Sequence, residues 1–194
     1  MSPSSAKPYA GKRALDVLVA GAACAAFAPL VAGIAVASWL EDSGSPLFVQ
    51  SRVGRQRHPF TIVKLRSMRE QRVTRVGRWL RRTGIDELPQ FLNVLRGEMS
   101  IVGPRPLTQS DVERLGWHQA PDDWRFAMSP GITGLSQLLA GPTARSTRRL
   151  DRLYLQRQSL MLDVRLIALS FAVNVAGKRN VRRWLKASER GQAA

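Results

Sequence analysis

The sequence predicts a mostly helical α/β protein that associates with a membrane. Residues 17–40 carry no charged side chain, and as a helix of about 36 Å they would be long enough for a bilayer core of about 30 Å. Two short segments rich in β-branched and aromatic residues, 47–50 and 60–65, indicate strands. Apolar residues at helical spacing between 148 and 176 indicate helices on the core or at the membrane interface.

The charges around the apolar run favour a segment that enters and leaves the membrane on one face. Of the 30 Lys and Arg residues, all but Lys7, Lys12 and Arg13 follow the run, and a simple span would carry them across the membrane. Pro29, near the middle, removes a helix hydrogen bond. We therefore predict a re-entrant helix–break–helix over residues 12–42 with the break at Pro29. A plain span with a kink is the alternative, and the length of the run argues against a cleaved signal peptide.

The remaining chain divides by composition. We expect a disordered N-terminus over residues 1–11, a cytoplasmic domain over 43–180 and a basic tail over 181–194. The net charge of +16 favours anionic partners such as phosphate groups and acidic lipids. The single cysteine, Cys24, excludes an internal disulfide. Basic runs could also track nucleic acid, but no nucleic-acid-binding motif is present and such a protein would not need the apolar run, so we expect no nucleic-acid partner.

Two adjacent carboxylates, Asp86 and Glu87, stand in this cationic chain. Helices are predicted over 73–82 and 87–96, and Pro89 is tolerated only in a first turn. Asp86 should therefore lie at a helix N-terminus, where the ionised form is favoured and where upstream arginines would lower its pKa further. An ionised carboxylate can attack phosphorus. The simpler interpretation is that Asp86 is only a helix cap.

Basic residues near this pair could bind phosphate. Residues 103–106 (Gly-Pro-Arg-Pro) form a stiff loop that presents the planar fork of Arg105. Lys64 alternates with Arg66 in a predicted strand, so both should point to one face. The two histidines show no ligand spacing. Mg²⁺, which is held by one or two carboxylates and substrate phosphates, is the metal that the sequence favours. Residues 129–134 are predicted to be a second loop.

Taken together, these motifs resemble the bacterial sugar transferases, the monotopic polyprenyl-phosphate phosphoglycosyl transferases. The resemblance covers about residues 12–180. It is to the small, minimal form of this family. It rests on several ordered segments: 12–16, Pro29, 52–55, 59–68, 86–95, 97–106, 130–134 and 159–163.

The resemblance implies a reaction. A sugar-1-phosphate would pass from a UDP-sugar to undecaprenyl phosphate, UMP would leave, and exopolysaccharide or glycoconjugate synthesis would begin. The domain would face the cytoplasm at the bacterial inner membrane, in contact with membrane lipids, and a homodimer is left open. A catalytically inactive membrane scaffold of a polysaccharide assembly complex is the alternative.

The resemblance also implies roles for individual residues. Asp86 would be the nucleophile that forms a phosphoglycosyl-aspartate, and it would contact Mg²⁺. Glu87 would position or deprotonate the acceptor phosphate. Three cations would surround the substrate phosphates: Lys64, Arg81 and Arg105.

Overall fold

The computed structural model of the protein describes residues 8–42, 44–69, 72–117, 123–139 and 143–176. Helices dominate the described residues, as predicted. They are α1 (Lys12–Asp42), α2 (Arg75–Thr83), α3 (Gln90–Arg96), α4 (Gln109–Arg114), α5 (Asp123–Phe126), α6 (Leu135–Leu139), α7 (Ala144–Arg157) and α8 (Leu160–Ala176).

Short strands form three two-stranded sheets in the described part of the chain. The strands are β1 (Leu47–Val53), β2 (Pro59–Leu65), β3 (Met68–Arg69), β4 (Arg72–Val73), β5 (Ser100–Val102) and β6 (Gly131–Thr133). Strands β1 and β2 form an antiparallel hairpin, β3 and β4 form a smaller one, and β5 and β6 pair in parallel. The strands predicted at 47–50 and 60–65 are confirmed. Their β-branched and aromatic side chains suit a half-buried pleated surface.

The main core lies where α1, α3 and α8 pack around the β5–β6 sheet. Its fully buried members include Ile62, Val94, Val102 and Tyr154. A second cluster, around Trp117, includes Val53 at the end of β1 and Leu107 in the loop after β5. These two clusters hold the hairpin, the loop after β5 and the start of α3 against one another.

The first turns of α1 are fixed to the domain by buried charges. Lys12 Nζ lies 2.7 Å from Asp163 Oδ2. Asp16 Oδ1 accepts hydrogen bonds of 2.9 Å from Ser100 Oγ and from the Ile101 amide. Asp163, which as a sequence feature interrupts the apolar pattern of α8, is completely buried and serves as the partner of Lys12.

The far half of α1 also packs on the domain. Ile34 forms a buried cluster with Leu65 of β2 and Leu80 of α2. At 1.5 Å per residue, Lys12 and Ile34 are about 33 Å apart along the helix. The opposite face is open, with Leu18 71% and Leu40 69% exposed. By length and composition, α1 is long and apolar enough to enter a membrane.

The break predicted at Pro29 is not seen as an interruption of the helix. Helix α1 runs continuously through Pro29. A single proline removes one hydrogen bond and bends the axis locally, while the other bonds of a 31-residue helix hold the segments on either side. The expected helix–break–helix is therefore corrected to one continuous helix.

Two further expectations differ from the structure. Residues 131–133, predicted as part of a loop, form β6, because Gly103 donates to the Thr133 carbonyl and Ser100 to that of Pro130. The helical pattern between 148 and 176 divides into α7 and α8. The basic tail (181–194) and most of the N-terminus predicted to be disordered (1–11) lie outside the described residues.

Candidate active site

A cleft opens between the β1–β2 hairpin, the turn before α3 and the loop after β5. Its polar lining comes from six residues: Arg52, Lys64, Glu87, Gln90, Arg105 and Gln137. Three of the residues that the sequence singled out, Lys64, Glu87 and Arg105, therefore meet at one site although they are far apart in the chain.

The carboxylate pair sits on a tight turn between two helices. Helix α2 ends at Thr83 and is capped by Gly84, whose φ of 73° lies in the left-handed region that suits glycine. Ile85–Glu87 then form a 3₁₀ turn, in which successive side chains point about 120° apart. Asp86 and Glu87 thus face different directions from one rigid support.

The expectation that Asp86 lies at the N-terminus of α3 is corrected. Helix α3 begins at Gln90, and Pro89 takes the capping position without a side-chain cap. Because Pro89 has no N–H for an i→i−4 bond, the residues before it form a 3₁₀ turn, and the α-helix starts three residues later than predicted. Asp86 is therefore not the helix cap, and the simpler interpretation of this residue is not supported.

Glu87 is engaged by a cation from the neighbouring hairpin. Glu87 Oε1 lies 2.5 Å from Lys64 Nζ. Lys64 belongs to β2, so this pair joins the strand to the turn. The predicted alternation of Lys64 with Arg66 stops at the end of β2, since that strand finishes at Leu65.

The electrostatic environment of Asp86 is also opposite to the prediction. Burial, followed by the like charge of Glu87, raises the pKa of Asp86 above its ordinary value, although Lys64 and Arg81 act in the other direction. The helix terminus that was expected to lower this pKa is not where Asp86 lies. A carboxylate whose charge is poorly solvated is a better nucleophile than a fully hydrated one.

Arg81 stands beside the cleft rather than in its lining. Its Nε donates to Ser67 Oγ at 2.9 Å and its Nη2 lies 2.9 Å from Met68 Sδ. Its charge nevertheless lowers the pKa of Asp86. Of the three cations assigned to phosphates, Lys64 and Arg105 line the cleft, and Arg81 acts on the carboxylate from the side.

Arg52 is a lining residue that sequence reasoning missed. Burial and the neighbouring Arg105 lower the pKa of Arg52, although Asp111 and Glu87 act in the other direction, as expected when two cations are brought together in a partly buried site. Arg52 Nε is buried and has no acceptor among the described residues. The signal was present in the sequence: Arg52 pairs with Phe60 across the hairpin, which places it on the same face as Lys64.

Gln90 is a second residue that was missed. The residue is 2% exposed, and its Nε2 has no acceptor in the described part of the chain. Such a buried donor without an acceptor is rare and calls for an explanation. Gln90 follows Glu87 by three residues, a spacing at which side chains share one face of a helix, so the position was open to prediction.

The available side-chain ligands fit a magnesium ion that is coordinated mainly by substrate phosphates and water. No cluster of three or more His, Cys, Asp or Glu side chains occurs in the residues that the structure describes. Mg²⁺ commonly uses only one or two carboxylates, with phosphate oxygens and water completing its shell. Asp86, partly exposed beside Lys64 and Glu87, can supply such a carboxylate.

Comparison with known proteins identifies the family of this chain. Residues 7–177 match the family described as bacterial sugar transferase. Over 177 residues the chain is 41% identical to a UDP-glucose:undecaprenyl-phosphate glucose-1-phosphate transferase of Caulobacter vibrioides, covering 80% of this chain and 66% of that protein. Over 175 residues it is 38% identical to a UDP-N-acetylgalactosamine-undecaprenyl-phosphate N-acetylgalactosaminephosphotransferase of Aeromonas hydrophila, covering 80% and 41%.

A third relative is matched along most of its length. The chain is 36% identical over 188 residues to the exopolysaccharide production protein PSS of Rhizobium leguminosarum, covering 80% of this chain and 90% of that protein. The chain thus spans between about two fifths and nine tenths of the length of these relatives. With all of its described residues inside the match, and with the cleft built from the motifs that carried the resemblance, the chain belongs to the bacterial sugar transferase family.

Proposed function

We propose that this protein transfers a sugar-1-phosphate from a UDP-sugar to undecaprenyl phosphate and releases UMP. The observation that carries the proposal is Glu87 in a cleft lined by Lys64, Arg52 and Arg105. Asp86, which is not itself a lining residue, adjoins Glu87 in the same turn and lies within electrostatic reach of Lys64 and Arg81. A nucleophile beside several cations is the arrangement that phosphoryl transfer requires. The names of the relatives in Caulobacter and Aeromonas support the choice of substrates.

In the first step, a carboxylate oxygen of Asp86 attacks the phosphorus that bears the sugar. A new P–O bond forms to Asp86, and the P–O bond to the uridine monophosphate breaks, so UMP leaves with the electron pair. The product is a phosphoglycosyl-aspartate. The raised pKa of Asp86 favours this role, provided that the group is ionised at the working pH.

In the second step, a phosphate oxygen of undecaprenyl phosphate attacks the same phosphorus. The bond to Asp86 breaks, its carboxylate is regenerated, and the lipid carries a diphosphosugar. Glu87, on the adjacent position of the turn, positions the acceptor phosphate or accepts its proton.

The cations stabilise the charge that develops during both steps. Lys64 and Arg105 line the cleft, and Arg52 adds a buried N–H that has no acceptor among the described residues. Arg81 favours the ionised form of Asp86. A bound Mg²⁺, held by Asp86 and the substrate, would supply further neutralisation of the phosphate charge.

We also propose that α1 lies in the inner membrane without crossing it, with the domain in the cytoplasm. Two contacts support this. Lys12 at one end binds Asp163, and Ile34 near the other end packs on Leu65 and Leu80. A helix that crossed the bilayer would separate its ends by about 30 Å of hydrocarbon, whereas here one domain contacts both.

The proposal is tested by measuring UMP release from a panel of UDP-sugars by the detergent-solubilised protein with Mg²⁺ and undecaprenyl phosphate. We expect release with at least one donor and none with Asp86→Asn. Incubation with that donor but without undecaprenyl phosphate should raise the intact mass of the wild-type protein by one sugar-phosphate. Release by Asp86→Asn at the wild-type rate would rule out Asp86 as nucleophile. Folded, membrane-bound protein that releases no UMP would favour the scaffold.

A further inference from the structure

The loop that presents Arg105 is anchored through its carbonyl groups. Pro104 and Pro106 have no N–H to donate, so the carbonyls must hold the loop. The Pro104 carbonyl accepts from the Gly131 amide at 2.9 Å, that of Arg105 from Arg125 Nη2 at 2.9 Å, and that of Pro106 from Arg52 Nη1 at 3.2 Å. Of these three bonds, the one from Arg125 holds the backbone of Arg105, the residue whose side chain lines the cleft.

Arg125 is itself held rigidly. Its Nε donates to Asp151 Oδ2 at 2.9 Å, and the two side chains are only 4% and 2% exposed. Its guanidinium also stacks on the ring of Trp117, 4.5 Å from the ring centre. Arg125 lies on α5 and Asp151 on α7, so the pair links two helices outside the cleft to the backbone of a cleft residue.

Stability of the core alone does not explain the Arg125–Asp151 pair. A buried ion pair is weak evidence for stability, because burying the charges offsets much of their attraction. Arg125 uses its fixed position to donate to one particular carbonyl, and a planar guanidinium with several N–H groups is suited to such directed bonding.

We propose that Arg125, oriented by Asp151, is a positioning residue that sets the direction of the Arg105 guanidinium toward the substrate phosphates. The inference rests on the proposed function. Arg125 has no contact with substrate in this scheme and acts only through Arg105. A catalytic group that is misplaced by about 1 Å can lose about 100-fold in rate, so loss of this support should be measurable.

The variant must remove the support without unfolding the protein. Replacing one partner leaves a buried charge unpaired, whereas replacing both with apolar side chains of similar size is often tolerated. We therefore choose Arg125→Met/Asp151→Leu, with Arg125→Lys as a second variant that retains the charge beside Asp151 and shortens the reach to the Arg105 carbonyl.

The matched control is Arg57→Met. Arg57 also stacks on this cluster, 4.3 Å from the centre of the Phe126 ring, and also donates to a backbone carbonyl, that of Trp117, at 3.0 Å. Among the described residues Arg57 also pairs with Asp123 but makes no bond to the loop of Arg105, so this variant tests the packing and charge of the cluster without that link.

The experiment is a double-mutant cycle with Arg105→Ala, with kcat/KM for UMP release and calorimetric affinity for UDP as readouts. In protein that retains Arg105, we expect Arg125→Met/Asp151→Leu to lower kcat/KM by about 10- to 100-fold. The kcat/KM of Arg125→Lys should lie between those of this double variant and the wild type. In the Arg105→Ala background, the same changes should cost less than about twofold, because residues that act as one unit are not additive. Arg57→Met should change neither background.

An equal loss in both backgrounds would overturn the inference, as would wild-type activity and UDP affinity in folded Arg125 variants. If turnover by Arg105→Ala is too low to measure, the same cycle is evaluated from the affinities for UDP. Wild-type protein that neither releases UMP nor binds UDP would instead overturn the proposed function together with the inference.

Discussion

Lys64 and Glu87 form an ion pair across the cleft, with 2.5 Å between Lys64 Nζ and Glu87 Oε1. The pair connects β2 to the turn that carries Asp86. In the structure the lysine charge is therefore shared with a carboxylate, and in the proposed mechanism a substrate phosphate would compete with Glu87 for it. Binding of the sugar donor at Lys64 would then release the side chain of Glu87, the residue assigned to the acceptor phosphate.

Replacing Lys64 should weaken catalysis strongly. Lys64→Met removes a cation from the transferring phosphoryl group, and we expect kcat/KM for UMP release to fall by about 100-fold. The control is Arg66→Met, since Arg66 follows the end of β2 and is not among the lining residues. Unchanged kcat/KM in Lys64→Met would remove Lys64 from the phosphate site.

The pH dependence of the reaction should report on Asp86. Because its pKa is raised and the attacking form is ionised, activity should fall, on acidification, at a higher pH than the value of about 3.9 for an ordinary aspartate. Glu87→Gln removes a like charge, so the acid limb of kcat/KM should move to lower pH even though the rate declines. A limb that moves to higher pH would contradict this electrostatic assignment.

Stability should respond in the opposite direction to activity. Above its folded-state pKa, ionised Asp86 destabilises the folded protein, because that state resists the charge more than the unfolded chain does. Asp86→Asn should therefore raise Tm at neutral pH, and the gain should vanish as the pH falls below the unfolded pKa. Thermal unfolding across this range checks the sign, and a lower Tm at pH 7 would show that the carboxylate is well solvated.

Gln90 should matter for the reaction and not for the fold. Its Nε2 has no acceptor within the described residues, so Gln90→Leu should leave Tm near wild type while kcat/KM falls by about 10-fold or more, the worth of one hydrogen bond to a charged group. Asn93→Leu is the matched control, since Asn93 Nδ2 is bonded to the Thr61 carbonyl and to Glu98 at 2.7 Å. It should lower Tm, and equal behaviour of the two variants would argue against a ligand contact at Gln90.

The path of α1 can be read from the accessibility of its two ends. In a Cys24→Ser background, single cysteines at Ala10 and Ser45 flank the helix at exposed positions. With both ends cytoplasmic, a membrane-impermeant maleimide added to intact spheroplasts should label neither, and permeabilisation should expose both. Labelling of one site in intact cells would establish a span that crosses the membrane.

The sequence predicted those features that depend on local pattern. The apolar length of α1, the β1–β2 hairpin and the helical spacing of α7 and α8 follow from side-chain periodicity, which the tertiary structure retained. Lys64 and Arg105 were found because their residue types suit phosphate. Arg52 and Gln90 were missed. Strand alternation and helical spacing do place them on the same face as Lys64 and Glu87, but their burial without an acceptor depends on the tertiary structure.

The errors have physical causes of the same kind. Pro29 was given more weight than the many remaining hydrogen bonds of a long helix allow. The pKa of Asp86 was predicted from a helix terminus that begins three residues later, and burial reverses the sign. The strand β6 depends on a parallel partner 31 residues away, at Ser100 and Gly131, and short-range propensity cannot predict such pairing.

The bond between Lys12 and Asp163 has a consequence for the order of events during synthesis. Its partners are separated by 151 residues, and at about 5–20 residues per second they leave the ribosome roughly 8 to 30 s apart. Helix α1, with Asp16 beside Lys12, therefore emerges, and can settle in lipid, well before Asp163, the nearer carboxylate partner of Lys12, has been synthesised. In the proposed membrane arrangement, α1 is in place first, the domain folds against it, and the packing of α8 completes the contact with Lys12.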